Sequence, residues 1–211
     1  HANSPFIRDD VNKVFSSRQY SNPFFNFSYL NLSHNEPFFA NRFVKVNIYG
    51  GTNPYNSGGW NNWNATGTTN ISSGIFNYDD GTSYGISAVL NYSQGIPDNG
   101  ATYGGTMCPP EVLSYTSYST STRTVTLTGL NNSLTYNLEF FSSRGTTGNS
   151  TQFTIGGVNK TVVTDFNLTN SIVYTNLTPV NGQIVITLAR VGTYNYLNGF
   201  IITEVSSASN Q

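Results

Sequence analysis

The residues with the most suggestive chemistry stand in Tyr55-Asn56-Ser57-Gly58-Gly59-Trp60-Asn61-Asn62-Trp63-Asn64. Trp60 and Trp63, with Tyr55, offer flat faces on which the C–H face of a sugar ring packs, and the amides of Asn61, Asn62 and Asn64 suit its hydroxyls. The competing reading is plain packing, with one Trp in the core and the other covering a strand end. The two tryptophans are three residues apart, so in an extended chain they point to opposite sides.

Arg144 follows a strand-like run, in Ser143-Arg144-Gly145-Thr146-Thr147-Gly148. A loop arginine there can grip a sugar carboxylate such as a uronate through two parallel hydrogen bonds, or form a salt bridge with Glu111 or Glu139. Asp79-Asp80-Gly81 and Asp98-Asn99-Gly100 carry oxygen ligands of the kind calcium takes, without the ordered acidic spacing of a calcium loop. Both read as turns, because Asp or Asn followed by Gly suits the positive φ of such turns. No metal and no cofactor is expected.

Catalytic groups are scarce. His1 and His34 are the only histidines, and no Gly-x-Ser-x-Gly elbow, His-Glu-x-x-His pair or cysteine cluster occurs. Glu111 with Glu139 is the one conceivable acid pair, against the plainer reading of two solvent-facing acids. Cys108 is the sole cysteine, so no intrachain disulfide can form, and it reads as a small buried apolar residue. The chain is expected not to be an enzyme.

These residues need a scaffold, and alternation of apolar and polar residues supplies one from Phe43 onward. Val44, Val46 and Ile48 share one face of a strand, as do Ile86, Ala88, Leu90 and Tyr92. Val125 with Leu127, Tyr136 with Leu138 and Phe140, Phe153 with Ile155, Ile184 with Ile186 and Leu188, and Phe200 with Ile202 repeat the pattern. Gly50-Gly51, Asn131-Asn132-Ser133 and Gly156-Gly157 break it. Short strands at such intervals predict an all-β, antiparallel jelly roll or β-sandwich over 43–211, with little helix.

Residues 1–42 predict something else, an extended Pro/Phe-rich arm. Pro5, Pro23 and Pro37 each precede phenylalanine, and the prolines deny the arm a central place in a sheet. Phe24, Phe25, Phe27, Tyr29, Leu30 and Leu32 are too apolar to float in water. They are expected to cover the chain's own sandwich or to add a strand to a neighbouring copy.

Charged residues are only 9% of the 211, and the nine Lys and Arg form no cluster, which argues against nucleic acid. No apolar run approaches the roughly 18 residues of a membrane span, so no membrane insertion is expected. The abundance of Asn, Ser, Thr, Gly and Tyr is typical of extracellular β proteins. The chain opens on His1 with neither initiator Met nor signal peptide, as a mature or excised form would.

A family resemblance runs from Val46-Asn47-Ile48-Tyr49-Gly50-Gly51 and the Trp-Asn segment through Tyr103-Gly104-Gly105 and Cys108-Pro109-Pro110-Glu111-Val112-Leu113. It continues in Leu127-Thr128-Gly129-Leu130, Tyr136-Asn137-Leu138-Glu139-Phe140-Phe141-Ser142-Ser143-Arg144 and Tyr194-Asn195-Tyr196-Leu197-Asn198-Gly199-Phe200. Over about 43–205 the chain resembles an accessory β-sandwich domain of large secreted Bacteroidetes proteins, itself similar to galactose-binding-like and malectin-like carbohydrate-binding modules. The resemblance implies a non-catalytic, carbohydrate-binding or adhesive role, extracellular or at the cell surface. The alternative expectation is a structural subunit of an extracellular filament or layer, joined by strand donation from the arm. The expected partners are accordingly a glycan or neighbouring copies of the chain itself.

Overall fold

In this computed structural model, residues 41–50, 54–99 and 105–205 are described. The N-terminal segment with Phe24, Phe25, Phe27, Tyr29, Leu30 and Leu32 lies outside the described residues. In chain order the strands are β1 (Arg42–Ile48), β2 (Trp60–Trp63), β3 (Ile71–Ile75), β4 (Ser87–Leu90), β5 (Ser117–Ser119) and β6 (Arg123–Thr128). They continue as β7 (Thr135–Phe141), β8 (Asn149–Ile155), β9 (Val158–Val163), β10 (Ile172–Leu177), β11 (Ile184–Gly192), β12 (Asn195–Leu197) and β13 (Gly199–Val205). A single helical turn, α1 (Pro110–Leu113), precedes β5. The all-β expectation holds. No helix among the described residues is long and apolar enough to cross a membrane.

Two large sheets form the sandwich, one ordered β10-β7-β13-β1-β2 and the other β3-β4-β6-β11-β8-β9. Pairing is antiparallel except between β1 and β2, which run parallel with Lys45 opposite Trp60 and Ile48 opposite Trp63. A parallel neighbour needs a crossover rather than a tight hairpin.

The predicted apolar faces meet between the sheets. Val44, Val46, Ile48, Leu138, Phe140 and Phe200 come from one, and Ala88, Leu90, Val125, Leu127, Phe153, Ile186 and Leu188 from the other. Phe140 and Phe153 stack across the interface, ring centroids 4.8 Å apart and 18° between planes. Burying each such ring stabilises the fold by about 1.5–3 kcal/mol, so this seam holds the sheets together.

The small ribbon β12-β5 stands apart from both sheets in its pairing, with Tyr196 directly opposite Tyr118. Side chains alternate along strands, so the ribbon's two faces differ. Ser117, Ser119 and Asn195 turn toward fully buried Arg123, at the start of β6. Tyr118 and Tyr196 take the other face.

Candidate functional site

The Trp-Asn segment divides its two rings between the faces of a sheet. Three residues apart on β2, Trp63 and Trp60 fall on opposite faces. Trp63, 2% exposed, enters the core edge-on to Phe76 and Phe200. Trp60 packs against Tyr55 and Phe141 in a second cluster with Val112 and Leu113. The amides bind their own chain. Asn61 Nδ2 donates to Lys45 O and Asn77 O, and its Oδ1 accepts from Asn77 N. Asn62 similarly clasps the backbone N–H and carbonyl of Tyr55. Burial thus takes Trp63 out of the expected stacking platform, while Tyr55, Trp60 and Asn61, each partly exposed, are engaged in packing and hydrogen bonds of the fold.

The other candidates resolve differently. Asp80 Oδ1 accepts from Thr82 N and Thr82 Oγ1, and Gly81 takes φ 86°, so Asp79-Asp80-Gly81 is a turn. Glu111 is exposed on α1, whereas Glu139 accepts from Ser171 Oγ at 2.6 Å. Cys108 packs in the second cluster, where burial, with a lesser push from the charge of Glu139, raises its thiol to about 12. Among the described residues no group of acids, histidines and cysteines is arranged to hold a metal ion.

Arg144 does not pair with Glu111 or Glu139 by any hydrogen bond seen; its Nη1 donates to Asp98 O at 3.1 Å and to Asn99 Oδ1 at 2.5 Å. It lines a half-open cleft of about 400 Å³ together with Tyr118, Tyr194, Tyr196, Pro97, three threonines (Thr146, Thr147, Thr193) and Asn149.

The ribbon explains the tyrosines. Tyr194 and Tyr196 are two apart and therefore share a side, and register places Tyr118 opposite Tyr196. Tyr118 and Tyr194 meet edge to face at 5.4 Å and 81°, and Tyr194 and Tyr196 lie 5.9 Å apart. Tyr196 is buried at the base, while Tyr118 and Tyr194 are half-exposed. Burial raises the Tyr196 phenol above its ordinary range; a hydrogen bond with Thr146 and the charge of Arg144 pull the other way.

Beneath the rings the scaffold is fixed by polar bonds. Arg123 Nε donates to Asn195 Oδ1 at 2.7 Å, Nη2 to Ser117 O at 2.8 Å, and Nη1 to Ser117 Oγ. Asn195 Nδ2 returns bonds to Ser119 O and Ser121 O. Burial pushes the guanidinium down to about 9, which still leaves it charged at neutral pH. One buried cation therefore ties β5 and β12 together below the tyrosine face.

The loops on the far side are equally set. Asp165 carboxylate oxygens accept from Gly148 N and Asn149 N at 2.7 and 3.0 Å. Gly192, at φ 98°, presses on Gly148, where a Cβ would stand 2.2 Å from the Gly148 oxygen. Only glycine fits there.

Arg144 was legible as a loop arginine. The tyrosines were not, since Tyr118 and Tyr194 are distant in sequence and nothing but the β5–β12 register joins them. The period-2 spacing of Tyr194 and Tyr196 was the available signal.

No protein-family model matches this sequence, and no curated protein does. Among solved structures, a β-glucuronidase of Bacteroides uniformis shows 12% identity and a TM-score of 0.41, covering 63% of this chain and 17% of that one. At that level the likeness says nothing of what this chain binds.

Proposed function

We propose that the sandwich is a non-catalytic carbohydrate-binding module of an extracellular or cell-surface protein, and that its ligand sits in the cleft of Tyr118, Tyr194, Tyr196 and Arg144. The observation that carries this reading is the convergence of three phenol rings with threonine hydroxyls and a guanidinium on one half-open cleft. Concave sites with aromatic walls and a few placed polar groups are the usual form of small-ligand sites. Rings provide faces for sugar C–H groups, and Thr146, Thr147 and Thr193 provide partners for hydroxyls. The test is a broad glycan array with wild type, Tyr194→Ala and Tyr118→Ala. Binding in roughly the micromolar-to-millimolar range, weakened by both substitutions, supports the reading. An array without hits, or hits indifferent to both substitutions, overturns it.

One observation favours the filament reading as a second possibility. Among the described residues β9 is an edge of the six-stranded sheet, and Val158 and Val163 on it are more than half exposed, with Phe166 just beyond. An apolar edge invites another strand. Size-exclusion chromatography and electron microscopy of the full chain decide it: polymers support strand donation, and a monomer at high concentration removes it.

A further inference from the structure

We infer that the sugar held in the cleft carries a carboxylate, gripped by Arg144; this rests on the glycan reading above and narrows it. Within the lining Arg144 alone carries a formal charge, among phenols, hydroxyls, an amide and a proline. Its backbone is clamped on both sides, its N–H donating to Thr164 O at 2.9 Å and its carbonyl accepting from Phe166 N at 2.8 Å. The side chain is held too, at one nitrogen. Among the described residues the hydrogen bonds that leave its guanidinium leave from Nη1, to Asp98 O and Asn99 Oδ1.

That anchor matters because a guanidinium has two forks. With Nη1 engaged by the protein, the Nε–Nη2 edge keeps two parallel N–H groups, the spacing that matches two carboxylate oxygens. A planar donor already oriented by the fold loses little freedom on binding, so more of the contact appears as affinity. Asp165, whose charge reaches Tyr196, does not compete for this fork in any hydrogen bond seen, since its oxygens accept from Gly148 N and Asn149 N. A uronate would place its ring against the tyrosines and its carboxylate on Arg144. The geometry asks for an acidic sugar.

The experiment is titration calorimetry with oligomers of galacturonate, glucuronate and mannuronate, each beside its methyl ester and its carboxyl-reduced neutral form. Wild type should bind at least one free acid roughly tenfold to a hundredfold more tightly than its neutral forms, the range that hydrogen bonds to a charged group are worth. Arg144→Gln should erase that preference, so that acid and neutral forms bind alike, and Arg144→Lys should restore only part of it. Because Arg144 also ties down Asp98 and Asn99, Asn99→Ala serves as the structural control. It cuts the bond to Asn99 but keeps the bond to Asp98 O and the charge, so the acid preference should survive. Equal affinity for acid and neutral forms, or a preference that persists in Arg144→Gln, overturns the carboxylate while the glycan site stands. A sulfated glycan without carboxyl groups that binds as tightly as the acid overturns it as well. Absence of binding by every glycan removes the underlying reading with it.

Discussion

Asn149 Oδ1 accepts the backbone N–H of Tyr194 at 2.9 Å, and so fixes the cleft's outer ring from below. The same oxygen accepts Thr193 N at 3.0 Å, and the amide Nδ2 donates to Thr147 O at 3.2 Å. Asn149 is buried, so water does not replace these bonds freely. Asn149→Ala removes the acceptor of two part-buried N–H groups, those of exposed Thr193 and half-exposed Tyr194, which water partly replaces, so the cost should be about 1–3 kcal/mol in all. Denaturant unfolding should show a loss of that size. The folded variant should also bind glycan more weakly, because Thr193 and Tyr194 lose their shared anchor. A variant as stable as wild type would mean that other contacts set this loop.

The two tryptophans should separate stability from binding. Trp63→Ala opens a cavity beside Phe76 and Phe200 and should cost about 3–5 kcal/mol in denaturant unfolding. Trp60 is half-buried, so Trp60→Ala should cost less. Neither should alter the glycan affinity of the protein that remains folded. A tenfold weaker affinity in Trp60→Ala with unchanged stability would assign Trp60 to the ligand instead.

Alkali should unfold the protein from about pH 10 upward, by way of its buried phenols. Burial raises Tyr78, Tyr136, Tyr174 and Tyr196; for Tyr78 a hydrogen bond to Glu204 and that carboxylate's charge add to the push. Each folded pKa lies above the unfolded value. Between the two the unfolded chain has lost a proton that the native one keeps, so stability is intact below the unfolded pKa and falls as pH rises toward the folded one. Arg123, pushed down to about 9, acts in the opposite sense as pH rises from there toward its ordinary range, as a single group against four. Tyrosinate absorbance followed beside circular dichroism checks this. Part of the tyrosinate signal should appear only as ellipticity is lost, and full ionisation with the β signal intact would contradict it.

What could be read from the sequence was decided by burial. The strands foreseen at Val44–Ile48, Val125–Leu127, Tyr136–Phe140 and Ile184–Leu188 bury one face each, and burial is what imposes alternation. β9 escaped notice because an edge strand with five of its six positions exposed has no face to hide. β2 escaped because Trp-Asn-Asn-Trp looks like a loop until its amides are seen bonding Lys45, Tyr55 and Asn77. In the site, Arg144 was found from its place after β7. Tyr118 and Tyr194 were missed because the ribbon that joins them brackets the whole run from β6 to β11, and no local pattern reports a pairing that distant.

The central claim is the location of the ligand, and chemical-shift mapping tests it most directly. The ¹⁵N-labelled protein is titrated with the strongest ligand from the glycan array, and backbone amides and the Arg144 side-chain resonances are followed. The largest shifts should fall on Tyr118, Arg144, Thr146, Asn149, Thr193, Tyr194 and Tyr196, while Trp60 and Trp63 stay where they were. Shifts centred on Trp60 and Tyr55, or on the edge strand β9, with the tyrosine cleft silent, would contradict the claim.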